Sequence, residues 1–156
     1  MIVSDATALI VLINIDEFRV LELFSESITL PQEVYDEVCK KEHAKQYMDA
    51  KIKQGFITLC HYEDKQTYKE INFILDAGES AAITLAIEKK MPLIIDEKKG
   101  RQFAQMQGVE IIGLVGIMKF LFDEKRLRRE EVILLKEKLE RSDFRISDTL
   151  LEWIVA

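Results

Sequence analysis

Short β-branched runs alternate along the chain with longer stretches of helical period. Ile2-Val3-Ser4 is the first such run and stops abruptly at Asp5. Residues 6–13 are apolar over a length too great for one buried strand, which predicts a helix. Phe18, Leu21 and Phe24, with Leu23 beside them, predict a second, short helix, and residues 27–30 a second strand. Pro31 stands where a helix begins, and the acids that follow it occupy the turns where the helix dipole favours them. A helix over 44–54 is stopped by Gly55, and 56–59 reads as a strand. The polar stretch 63–75 reads as helical only from Tyr68. Gly78-Glu79 opens a strongly periodic helix through Ile87, and Pro92 precedes a buried-type strand, Leu93-Ile94-Ile95, that stops at Asp96. A helix over 99–106 leads through Gly108 to a strand over 109–112. The last third is helical, over 114–122, 129–139 and 149–154.

Strands alternating with helices in this way predict an α/β layer built on a parallel sheet. With no repeat and no linker in view, residues 1–156 read as one domain, with helices from about 114 onward packed on it. In the tail, Ser147 is placed to cap the final helix, and Leu150, Leu151, Trp153 and Ile154 give it an apolar face. Arg145 is expected to reach a carboxylate.

Composition narrows the chemistry. The 156 residues are 48% hydrophobic and 32% charged, which excludes a disordered or low-complexity chain. The longest apolar stretch, 111–118, is far short of the roughly 20 residues that span a bilayer. No basic lead or cleavage site marks a signal peptide, so a cytoplasmic protein with no membrane association is expected. Cys39 and Cys60 form no C-x-x-C unit, and only His43 and His61 could join them. Zinc and disulfide chemistry are therefore poor readings. Acidic residues outnumber basic ones 28 to 22, for a net charge of −6, which argues against bulk attraction to a polyanion. Nucleic acid stays open as a substrate, because carboxylates that hold divalent cations produce the same balance.

Two strands end in an acid, Asp5 and Asp96, at the sheet end where ligands of open parallel sheets collect. Either could instead be the N-cap of the next helix. Glu37 lies beside an apolar stripe, though taken alone it reads more readily as a solvated side chain. Glu79 opens a helix of small residues, where an acid also satisfies the macrodipole. Together Asp5, Glu37, Glu79 and Asp96 make an all-oxygen set suited to Mg²⁺ or Mn²⁺. Without a cation, four such acids would repel and raise one another's pKa values. The natural chemistry of a filled set is phosphodiester hydrolysis.

The chain resembles PIN-domain proteins, and more narrowly the small prokaryotic PIN subfamily known as DUF3368, similar to toxin nucleases of the VapC type. The resemblance runs over nearly the whole length. It rests on Ile2-Val3-Ser4-Asp5-Ala6-Thr7-Ala8-Leu9-Ile10, Leu30-Pro31-Gln32-Glu33-Val34-Tyr35-Asp36-Glu37-Val38 and Asp76-Ala77-Gly78-Glu79-Ser80-Ala81-Ala82-Ile83. It continues in Leu93-Ile94-Ile95-Asp96-Glu97-Lys98-Lys99-Gly100-Arg101, Gly113-Leu114-Val115-Gly116 and Phe144-Arg145-Ile146-Ser147-Asp148. It implies a three-layer α/β/α sandwich with a parallel sheet of about four or five strands and a helical C-terminal third. Asp5, Glu37, Glu79 and Asp96 match the family's acidic metal-site positions. Two departures stand out: Ala6 replaces the hydroxyl residue common after the first Asp, leaving Ser4 and Thr7 as hydroxyls, and Glu97 replaces a second Asp.

The implied activity is an Mg²⁺- or Mn²⁺-dependent endoribonuclease, the toxin of a toxin–antitoxin pair, with RNA as substrate, a small antitoxin as partner and a homodimer as assembly. Glu97 is a further candidate ligand, and Lys98, Lys99 and Arg101 are placed to bind flanking phosphates. The rival readings are a degenerate PIN scaffold that binds RNA or protein without cutting, and an Asp-dependent phosphatase. The second lacks its usual companion acid, since Thr7 stands two residues after Asp5. A P-loop is excluded because no G-K-[ST] string exists.

Overall fold

Five very short parallel strands organise the chain, the central ones fully buried and the two at the edges, residues 57–59 and 111–112, partly exposed. The computed structural model describes residues 1–156. In order, the elements are β1 (Ile2–Ser4), α1 (Ala6–Asn14), α2 (Arg19–Phe24), β2 (Ile28–Leu30), α3 (Gln32–Val38), α4 (Glu42–Lys53) and β3 (Ile57–Leu59). They continue as α5 (Lys65–Asn72), α6 (Ala77–Lys89), β4 (Leu93–Ile94), α7 (Lys98–Met106), β5 (Ile111–Ile112), α8 (Leu114–Asp123), α9 (Arg129–Arg141) and α10 (Asp148–Ile154).

The strands pair in parallel in the order β3-β2-β1-β4-β5. Val3 pairs with Thr29 on one side and with Leu93 on the other. Every residue of β1, β2 and β4 is buried, as expected of a parallel sheet covered by helices on both faces. This is the α/β layer on a parallel sheet that the alternating pattern predicts, and its five strands fit the sandwich that the resemblance implies. One cluster of 38 buried apolar residues runs from Ile2 to Ile154 and joins the C-terminal helices to the sheet layer.

Chain order leaves β1 and runs outward to β2 and β3, then returns to β4 on the other flank of β1 and ends at β5. The reversal opens a crevice beyond the C-terminal ends of β1 and β4, where ligands of doubly wound sheets bind. Several elements begin earlier than the apolar period indicates, because polar caps set their starts. Asp64 accepts a hydrogen bond from the Thr67 amide and starts α5 at Lys65, well before Tyr68. Asp76 does the same for α6 through the Glu79 amide, at 2.8 Å. Pro31 is the N-cap of α3 rather than its first residue.

Ser147 caps α10 by accepting from the Leu150 amide at 3.1 Å, as expected, and α10 packs on α8. Arg145, expected to reach a carboxylate, makes no ion pair and stays exposed, because the loop of residues 142–147 carries it outward. Apolar α8 packs on α2, α9 and α10 within the chain and leaves Phe120 exposed.

Candidate metal and phosphodiester site

Asp5 leaves β1 at the point where the chain turns into α1. It occupies the N-cap position, yet its side chain makes no capping hydrogen bond and is only 4% exposed. A buried carboxylate that caps nothing is held for another purpose. Burial above all pushes its pKa up to about 7, reinforced by the charges of Asp76, Glu37 and Asp96 and partly offset by the Ala6 amide. Glu79 stands in the first turn of α6, 7% exposed, and is raised to about 8 by burial and then by Asp76, Asp5 and Glu97. Burial likewise raises Asp96, against the Leu114 amide and Arg101, which lower it, and raises Glu37, whose neighbour Asp76 adds to the effect.

Glycines make the room for these acids. A methyl group on Gly78 would lie 2.6 Å from Glu37 Oε2, 3.7 Å from Asp76 Oδ1 and 3.8 Å from Asp5 Oδ1, so three carboxylates face one point above α6. A methyl on Gly100 would meet Glu79 Oε2 at 2.8 Å, and one on Gly113 would meet Asp96 Oδ1 at 2.7 Å. The four acids singled out in the sequence thus line one crevice, with the sheet ends supplying Asp5 and Asp96 and the helices α3 and α6 supplying Glu37 and Glu79.

Asp76 is a fifth member that the sequence reading passed over. Its signal was the D-x-x-E spacing with Glu79 that marks a helix start, but a capping residue is ordinarily finished once it has capped. Here the fold also brings its carboxylate against Glu37 and Asp5. Glu97, at the N-cap position of α7, is exposed and adds its charge at the rim beside Glu79. Lys98 and Lys99 are exposed on α7. Arg101 turns inward, donating from Nη1 to the Ile95 carbonyl oxygen at 2.8 Å. Ser4 is not brought to the crevice: it is fully buried and its hydroxyl donates to the Asp5 carbonyl oxygen at 2.8 Å. Thr7 is half-buried in the first turn of α1.

A family model described as the PIN domain DUF3368 matches residues 1–156. The chain belongs to the DUF3368 family of PIN domains. No curated protein matches it. PIN domains are generally nucleases that use divalent metals, and the acid crevice of this PIN domain can be tested for that chemistry on its own features. The carboxylates do not close into a preformed cage, since no three His, Cys, Asp or Glu side chains are arranged to hold an ion. Two buried oxygens nevertheless have no hydrogen-bond partner, Glu79 Oε2 and Asp96 Oδ2. A buried acceptor without a partner is costly, and an all-oxygen set with two such atoms fits a hard divalent cation.

Two openings lead toward the crevice. A cavity of 480 Å³ on the α3 and α6 side is lined by Glu33, Asp36, Glu37 and Asp76, with Lys40 its only basic residue. On the far side, a cavity of 360 Å³ is lined by Asp96, Arg101, Gly113 and Trp153.

Proposed function

We propose that this PIN domain is a divalent-metal-dependent endoribonuclease that hydrolyses phosphodiester bonds at the crevice of Asp5, Glu37, Glu79 and Asp96. The observation that carries the reading is the pair of partnerless buried oxygens, Glu79 Oε2 and Asp96 Oδ2, among carboxylates whose pKa values burial raises. Mg²⁺ or Mn²⁺ held by Asp5, Glu79 and Asp96, with Glu37 and Asp76 beside them, would supply an activated water and charge neutralisation at the leaving oxygen.

The protein's own residues do the rest. Burial at the end of β1 fixes the aim of Asp5. The Leu114 amide, 3.1 Å from Asp96 Oδ1, orients that carboxylate and leaves Oδ2 for the ion. Asp76 Oδ1 anchors the first turn of α6 and with it Glu79. Three cations, Lys98, Lys99 and Arg101, crowd the first turn of α7, where the dipole disfavours positive charge. An anion at that helix end, such as an RNA phosphate, relieves this arrangement.

Incubation of mixed RNAs with the protein in Mg²⁺, Mn²⁺ or EDTA, beside an Asp5→Asn control, tests the proposal. Cleavage that needs the metal and vanishes in Asp5→Asn is expected. Cleavage indifferent to both would remove the activity from this crevice, and RNA binding without any cleavage would favour a degenerate scaffold. The toxin reading is a finer form of the same activity. A small protein that neutralises the cleavage, encoded beside this one, would support it.

A further inference from the structure

We propose that the 360 Å³ cavity between α7, α8 and α10 is a base-stacking subsite, which seats one unpaired nucleotide flanking the scissile phosphate on Trp153. The proposal rests on the nuclease reading only for the word scissile; the binding itself stands on the cavity.

Five features point to a nucleotide. Asp96 lines both this cavity and the acid crevice, so a ligand here adjoins the proposed reaction centre. Trp153 is the only tryptophan in the chain and is 51% exposed at the cavity, although its neighbour on α10, Ile154, is completely buried. An exposed indole offers a flat apolar face that any base can cover. Arg101 donates Nη1 to the Ile95 carbonyl oxygen, and a methyl on Gly113 would meet both that nitrogen, at 2.9 Å, and Asp96 Oδ1, at 2.7 Å, so the guanidinium is held in place beside Asp96 at the cavity wall. Lys119 Nζ, paired with Asp123 at 3.1 Å, lies over one face of the Trp153 ring at 5.5 Å from its centre and steadies the indole, leaving the opposite face for a base. The cavity volume lies within the roughly 300–1,000 Å³ of small-ligand sites.

The other mouth strengthens the choice of occupant. It is walled by four acids against one lysine and repels a polyanion, so an RNA strand enters from the side of Arg101 and Trp153. The arrangement divides the work by chemistry. Arg101 holds phosphate, and Trp153 reads nothing more specific than the presence of a base. A duplex keeps its bases stacked on one another, so the subsite selects single-stranded RNA.

The lone tryptophan makes the test direct. The full-length protein is titrated in calcium chloride with a single-stranded RNA octamer whose integrity is checked on a gel, and with an octamer of abasic ribose phosphates of equal charge. Quenching of Trp153 fluorescence by the RNA and little by the abasic strand is expected. Trp153→Ala should weaken binding of a fluorescein-labelled RNA octamer about five- to a hundredfold, the range that loss of one base–aromatic stack produces. Trp153→Phe should retain most of the affinity, and Arg101→Gln should weaken both strands alike.

Equal quenching by both strands would overturn the stacking. So would quenching by neither strand, or unchanged affinity in a Trp153→Ala protein of unchanged circular dichroism; a protein ligand on this face would give that result. Cleavage in Mg²⁺ is measured separately. Quenching without cleavage removes the nuclease reading and keeps the subsite, whereas cleavage with an unaltered KM in Trp153→Ala removes the subsite and keeps the nuclease.

Discussion

Asp5 sets the terms at the scale of single residues, because a carboxyl raised to about 7 beside another at about 8 makes stability depend on protons. In the metal-free fold both groups keep their protons at pH values where the unfolded chain has released them. Stability therefore rises as pH falls from about 8 toward 5, and is lost as pH climbs through 7 and 8. Thermal melts in EDTA should show this trend, and Asp5→Asn should flatten it. The same variant should melt no lower than the parent at pH 8, since it relieves repulsion. If Asp5→Asn instead lowers the melting temperature by several degrees in EDTA, its carboxylate is structural. In cleavage, Asp5→Asn and Asp96→Asn should each cost more than the roughly 10–100-fold typical of residues that only support a metal's ligands. Glu37→Gln and Glu79→Gln should cost less, because helix-borne side chains can act through water. Gly78→Ala adds one methyl where the Glu37 carboxylate now sits. That carboxylate is the far end of a flexible chain and swings aside. The variant should therefore fold normally yet cleave more slowly, and a normal rate would mean that Glu37 is dispensable.

Among the elements, the tail offers the clearest stability test. Ile146 and Ile154 are buried against the body, and α10 lies along α8. Removing residues 144–156 should lower the melting temperature by several degrees, since each kcal/mol is worth about 2–4 °C in a domain of this size. An unchanged melt would mean that the contact contributes nothing. Elements with a strong apolar signature were legible in the sequence: β1, β2, α1 and α8 lie where hydrophobic spacing puts them. Starts set by a polar cap were not, and α5 is the plain case, because Asp64 and Thr67 nucleate it ahead of any apolar residue. The strands were legible as runs but came out shorter, β5 shrinking to Ile111–Ile112, since only the paired positions count as strand. The site shows the same division. Asp5 and Asp96 announce themselves by ending apolar runs, whereas the closeness of Asp76 to Glu37 is a fact of how α3 and α6 pack, and no local spacing encodes it.

For the molecule as a whole, divalent cation should act as a stabilising ligand. Saturation at about 100 times the dissociation constant adds roughly 2.7 kcal/mol by mass action, visible as a rise in melting temperature. Mg²⁺ should raise the melt of the parent, and the rise should shrink in each of the four carboxylate variants. A rise of equal size in all of them would place the ion elsewhere on this acidic surface.

The register of the central strand bears on the order of events during synthesis. Val3 is made well before its partner on one side, Leu93, and Asp96 is oriented by an amide that belongs to the still later Leu114. Contacts between such distant parts of a chain form late, after a large loop has closed. A nascent chain therefore carries Asp5 and Glu37 through the synthesis of α4, β3 and α5 before Glu79, the fourth strand and Asp96 exist to join them. If the crevice cuts RNA, this wiring keeps the growing polypeptide from cutting until Leu114 has been made.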